Sequence, residues 1–201
     1  MKLKAIERIC KKEGHIQLFD DIAEMDVEKP EGYEQGLPRQ WLSDGRACYP
    51  LDGLPYLDEE AVCTMFDIDE KKKQKMNIGH RTTLLEGLDF TDLHPGDSPL
   101  EPIEFQMSVG GDDLYLLKEA DGGLLVIKRE YIKPFDTWKE CECYRRVSPR
   151  GMRYVAVIQG CVLRGLICPY QVGETVVETL GAVYNAAGIA MGRETGEEDR
   201  Q

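Results

Sequence analysis

Long apolar runs are missing from this chain. None approaches the ~20 residues that a membrane-spanning helix needs. The opening stretch MKLKAIERICKKEG carries a charge every few residues, so it does not read as a signal peptide. Imidazoles are scarce: His15, His80 and His94 are the only three. None lies in a recognisable nucleophile signature such as GxSxG, which leaves no Ser–His or Cys–His reaction to name. The seven cysteines are odd in number and form no CxxC pair. Reduced thiols in a cytoplasmic protein are the expectation, and Cys141, Cys143, Cys161 and Cys168 read as small buried hydrophobes rather than as a zinc knuckle. Positive charge is also short, with 25 Lys+Arg against 37 Asp+Glu and a net charge of −12. That balance disfavours nucleic acid as a direct ligand, because its backbone is itself an anion.

What is present is an uneven distribution of acids. The chain up to Glu104 carries a net charge of −10 and the remainder −2. Acidic groups gather in residues 20–34, 58–70 and 86–104, which suggests a face able to engage a protein partner with a basic surface. Within the middle cluster, Asp58, Glu59, Glu60, Asp67, Asp69 and Glu70 are the candidate partner-binding residues. The same groups would also serve as a solubilising coat. Neither a membrane nor a cofactor is implied, and the oligomeric state is left open.

The hydrophobic periods divide the chain. Leu3, Ile6, Ile9 and Cys10 recur at helical spacing over residues 2–13, and Gly14 supplies a stop. His15–Phe19 reads as a strand ending in Asp20-Asp21, followed by an acidic connection over 20–36. Ser43-Asp44-Gly45 between two apolar stretches marks a hairpin. Asp58 is placed to cap a helix beginning at Glu59, and a second short helix is expected over Asp69–Met76. Residues 79–102, rich in Gly and Pro and without a sustained period, read as a linker. Beyond it the pattern becomes β: Ile103–Val109, Leu114–Glu119, Leu124–Lys128, Glu140–Arg146, Met152–Ile158 and Cys161–Cys168, joined by tight turns that favour antiparallel neighbours. Thr175–Ala187 carries a helical stripe, and an acidic tail closes the chain. The expected fold class is α+β: an N-terminal helix with a small sheet and two short helices over 1–78, a linker over 79–102, an antiparallel meander with a C-terminal helix over 103–190, and a tail over 191–201.

Three patterns could carry chemistry. Gly110-Gly111-Asp112-Asp113 lies between two expected strands. Together with Asp20-Asp21 it could place four carboxylates around a divalent ion, as a phosphotransferase or nuclease would require. A glycine pair followed by aspartates also suits any tight turn. Arg145, Arg146, Arg150 and Arg153 surround one hairpin and could grip an anion, or guard an edge strand against aggregation. GAVYNAAGIAMG (Gly181–Gly192) is glycine-rich but lies within and after an expected helix, so it is not a dinucleotide fingerprint.

The segment QWLSDGRACYPLDGLPYLDEEAVCTMFDIDEKKKQKM (Gln40–Met76), with VIKREYIKPF (Val126–Phe135) and YVAVIQGCVLRGLICPY (Tyr154–Tyr170), resembles uncharacterised proteins carried by phages and prophages of Gram-positive bacteria. The resemblance implies an accessory protein that binds host machinery, and it assigns no activity and no functional residue. The leading expectation is therefore a non-enzymatic interaction protein. A divalent-metal phosphotransferase or nuclease is the first alternative, and a nucleic-acid processivity or scaffold protein the second.

Overall fold

The computed structural model describes residues 1–21 and 38–171. The acidic connection beyond Asp21, the helix expected over Thr175–Ala187, the glycine-rich run Gly181–Gly192 and the acidic tail all lie outside the described residues.

Local signals act where they are strongest. Helix α1 (Leu3–Glu13) turns Ile6, Ile9 and Cys10 inward, and Gly14 ends it in the left-handed conformation, with its N–H on the Cys10 carbonyl. Asp58 caps α2 (Glu59–Met65), its carboxylate accepting from the Ala61 N–H at 2.8 Å, and Asp69 does the same for the single turn α3 (Glu70–Lys73). Each cap is worth about 1 kcal/mol. Val62, Cys63 and Phe66 anchor α2 to the core.

The remainder is β. The strands are β1 (His15–Asp21), β2 (Arg39–Ser43), β3 (Ala47–Pro50), β4 (Asn77–Arg81), β5 (Ser98–Val109), β6 (Asp112–Glu119), β7 (Leu124–Lys128), β8 (Glu142–Val147), β9 (Arg153–Gln159) and β10 (Val162–Ile167). Among the described residues they form one ten-stranded sheet in the order β4-β1-β2-β3-β10-β9-β8-β5-β6-β7. Every neighbouring pair is antiparallel except β1–β4, which is parallel.

The α+β expectation is therefore corrected: the molecule is mostly β, built on a single mixed sheet with three short helices among the described residues. The physical reason is the seam between β3 and β10. Ala47 and Cys48 pair with Ile167 and Leu166, so the small front sheet extends the rear meander instead of standing apart. The chain leaving β10 then bonds both sides. The Cys168 N–H donates to Arg46 O at 2.7 Å, and the Tyr170 N–H donates to Val126 O on the far edge strand at 2.6 Å.

Both faces of this sheet are covered, and alternation along the strands assigns each residue to one of them. Ile16, Leu18, Leu42, Tyr49, Val155, Val157 and Ile167 point to the face beneath α1 and α2. Phe19, Trp41, Cys48, Tyr154, Ala156, Ile158 and Leu166 point to the other. The ends of the expected 79–102 linker belong to β4 and β5, and residues 82–97 between them cover that second face. Leu84, Leu85 and Leu88 pack on it, and Phe90 meets Trp41 edge-on at 5.0 Å.

That covering segment is pinned by Arg146, which is only 1% exposed. Its Nε and Nη2 bond the two carboxylate oxygens of Asp97 at 2.7 and 2.8 Å. Its Nη1 donates to the carbonyls of Asp89 and Thr91, and Nη2 also reaches Asp92 O. Every donor direction is used, so the buried charge is compensated. Replacing Arg146 by Ala strands Asp97 and opens three carbonyls. The expected cost is about 3–5 kcal/mol, measured as a fall in unfolding free energy by urea denaturation; a loss below about 1 kcal/mol, the range of an exposed pair, contradicts the clamp.

Candidate functional site

Strand β1 carries its last acids into a buried setting. Asp20 is 3% exposed and takes three side-chain contacts, two of whose partners also touch each other. Gln40 Nε2 donates to Oδ1 at 2.9 Å, His80 Nε2 lies 2.9 Å from the same oxygen, Tyr56 O–H donates to Oδ2 at 2.8 Å, and Tyr56 O also lies 3.4 Å from His80 Nε2. Gln40 is itself fixed by the Leu57 backbone, accepting from its N–H at 2.7 Å and donating to its carbonyl at 3.0 Å. Burial alone would raise the Asp20 carboxyl. The bonds from Gln40, His80 and Tyr56 outweigh it and hold the pKa below the ordinary value. Burial, with the carboxylate as acceptor, pushes the Tyr56 phenol up to about 12.

The sequence named Asp20 but missed Gln40, Tyr56 and His80. Nothing local marks them. His80 reaches Asp20 only because β4 lies parallel to β1, with Leu18 opposite His80. That pairing joins residues more than 60 positions apart.

Asp112 lies at the other end of β1. Lys128 Nζ is 3.2 Å from Asp112 and 3.6 Å from Glu13, the residue that closes α1 just before β1 begins. Lys12 also approaches Asp112, at 3.4 Å. Asp20 lies five residues into β1 from His15, roughly 17 Å along an extended strand. Asp113 accepts from Ser108 Oγ at 2.6 Å. The two aspartate pairs are thus engaged separately, at opposite ends of one strand, and are not brought around a common ion. Among the described residues, no group of three or more His, Cys, Asp or Glu is arranged to hold a metal.

The four arginines also separate. Arg146 is the buried clamp. Arg145 and Arg153 both reach Glu119, each at 3.3 Å, and Glu119 is buried between them. Arg150 stands exposed on the turn. Of the acidic residues singled out in the sequence, Asp58 and Asp69 are helix caps. Glu59, Glu60 and Glu70 take no ion pair or side-chain hydrogen bond among the described residues, and the Asp67 side chain is 98% exposed. Cys48 and Cys143 are buried, with thiols pushed up to about 12 by burial, whereas Cys161 is exposed on a hairpin turn.

One further acid stands out. Asp44, at the β2–β3 turn, is 4% exposed. Its Oδ1 accepts from the Arg46 and Ala47 N–H groups at 3.0 and 2.7 Å, while Oδ2 has no partner. Burial raises its pKa. The residue borders a cavity of about 820 Å³ between the turn and β7, with Arg46 and His15 on the same wall. The unpartnered oxygen itself is sealed from solvent, so the cavity does not reach it.

The Asp20 cluster has a signed consequence in acid. Folding depresses this carboxyl, so the stability it contributes is complete above the unfolded pKa of about 4 and is lost as pH falls through the lower folded value. Asp20→Asn is expected to cost about 1.5–3 kcal/mol at neutral pH. The gap from the unmodified protein should close progressively below about pH 4. Urea unfolding at stepped pH measures it, and a gap that stays constant into acid contradicts the assignment.

No protein family, curated protein or solved structure matches this chain, so the geometry carries the functional reading by itself.

Proposed function

We propose that the protein is a non-enzymatic interaction protein that presents the carboxylates of α2 and α3 to a basic protein surface, in keeping with a phage-borne accessory role. The observation that supports this reading is how the fold spends its acids. Asp20, Asp52, Asp89, Asp92, Asp97, Asp112 and Glu119 are tied to arginine, lysine, histidine or backbone groups inside the structure. Glu60, Asp67 and Glu70 stand exposed and Glu59 half-buried on α2 and α3, which are anchored by the buried apolar side of α2. Lys71, Lys72, Lys73 and Lys75 follow immediately, and Lys72 comes within 4.0 Å of Asp67. Acids and lysines are therefore interleaved on α3, whereas the acids of α2 stand without a lysine beside them in sequence, which gives a partner an orientation as well as an attraction.

The test separates this acidic cluster from net charge. Glu59, Glu60 and Glu70 are changed together to Gln, and Glu86, Glu101 and Glu104 are changed together as a control of equal charge. Binding to immobilised polylysine is then read at low and high salt. The first triple is expected to lose more than the control, about tenfold at low salt, with the difference shrinking as salt screens the contact. Equal losses from both triples reduce the cluster to part of a general negative coat.

A further inference from the structure

The sheet also carries a surface of the opposite sign. Strand β5 bulges out of register against β6. Ile103 faces Leu116 and Met107 faces Leu114, so residues 104–106 stand against Tyr115 alone. A bulge of this kind bends a strand and re-aims its side chains. Here it leaves Phe105 48% exposed, a large apolar ring placed outside the core. Phe105 forms one wall of a cavity of about 880 Å³ whose floor is Tyr115, Trp138 and Ile132. A second cavity of about 760 Å³, beneath α1, shares Trp138, Ile132 and Lys139 with the first. The two therefore form one groove running past the Trp138 ring.

The rim of that groove is cationic. Arg8, Arg129, Lys133 and Lys139 border it, and none takes an ion pair among the described residues. Arg129 lies over the Tyr115 ring at 5.8 Å. Lys2 also borders it, its ammonium 3.4 Å from Phe135 O. The acids here are Glu104, Asp136 and Glu140. Asp136 is held by the N-terminal ammonium, and Glu140 accepts from Gln159. Unpaired cations concentrated around aromatic rings, on a chain of net charge −12, are the reverse of what the composition would place there.

We infer that this groove binds an acidic peptide segment of a partner protein, one carrying an aromatic or aliphatic anchor that packs against Phe105 and Trp138 while its carboxylates meet Arg8, Arg129, Lys133 and Lys139. Buried aromatic and arginine contacts ringed by charge are the composition of binding hot spots. Charge complementarity selects the occupant's sign. The ring packing at Trp138 disfavours single-stranded nucleic acid, which needs open ring faces on which bases stack, and the chain's net charge of −12 disfavours it further. Trp138 offers little such face: Tyr115 meets it edge-on at 5.6 Å and takes its indole N–H, and Phe135 presses on it at 5.5 Å.

The experiment uses a fluorescein-labelled peptide of Asp, Glu, Leu and Phe residues, titrated with the full chain and followed by anisotropy. Saturable binding is expected, weakened about tenfold by Phe105→Ala and by Lys133→Glu with Lys139→Glu. All three positions are exposed, and circular dichroism confirms that the variants fold. The triple Glu59, Glu60, Glu70 substitution should leave this binding intact, which separates the groove from the acidic cluster. Absence of saturable binding overturns the inference, as does binding indifferent to those variants. Tighter binding of a labelled oligo-dT overturns it in favour of nucleic acid, and a concentration-dependent dimer abolished by Phe105→Ala overturns it in favour of a second copy of the chain.

Discussion

The architecture depends on a short seam. Two residue pairs, Leu166 with Cys48 and Ile167 with Ala47, join the front strands to the rear ones. The contacts that reinforce the seam come from every side. Gly165, at a bulge in β10, has no side chain because the Phe135 ring and the Cys48 carbonyl occupy the space; a Cβ there would stand 2.8 Å from the ring. Tyr49 reaches across the first face to donate its hydroxyl to Tyr131 O at 2.9 Å. Phe135, Tyr49, Tyr115 and Trp138 form a connected aromatic chain along that face. The seam is thus narrow in hydrogen bonds and broad in buried ring area, and ring area is the larger source of stability. Placing the recognition groove at one end of this chain gives it a rigid floor.

Signals that act over a few residues were legible in the sequence. Ser43-Asp44-Gly45 does make a hairpin turn, Gly14 ends α1, Asp58 caps α2, and the strands from Leu114 onward lie within one or two residues of where alternation places them. What depended on distant partners was not legible. Strand β4 is five residues long with no buried position, so it has no period of its own and exists through its pairing with β1. The register of β3 on β10 joins positions about 120 apart in sequence, and no local pattern encodes it. Residues 79–102 read as a linker because Gly and Pro interrupt them, yet Arg146 supplies from outside the hydrogen bonds that fix this stretch on the sheet.

The candidate sites follow the same division. Residue type alone drew attention to Asp20 but misjudged what it needs: its partners are an amide, a phenol and an imidazole from three other elements, not a second carboxylate pair. The four arginines looked alike in sequence because charge is a local property. Burial is not, and it makes Arg146 a structural clamp while leaving Arg150 in solvent. The bulge that exposes Phe105 was equally hidden. In sequence, Ile103, Phe105, Met107 and Val109 simply alternate, and the two-residue slip appears only when β6 sets the register.

Net charge proves to be a poor guide to where this molecule can bind. A value of −12 describes the far field, which steers an approaching partner over the ~8–10 Å that salt leaves unscreened. Contact is decided by which charges the fold has already used. Here internal pairing consumes aspartates and arginines alike, and among the described residues the charges left over include an acidic cluster on α2 and α3 and a cationic aromatic groove beside β5. Within that groove the N-terminal ammonium pairs with Asp136, so the local field is more positive than a count of side chains suggests. A partner drawn by the far field and one seated in the groove would therefore differ in the sign of their own charge. On the two proposals taken together, a single protein would hold two oppositely charged partners at once.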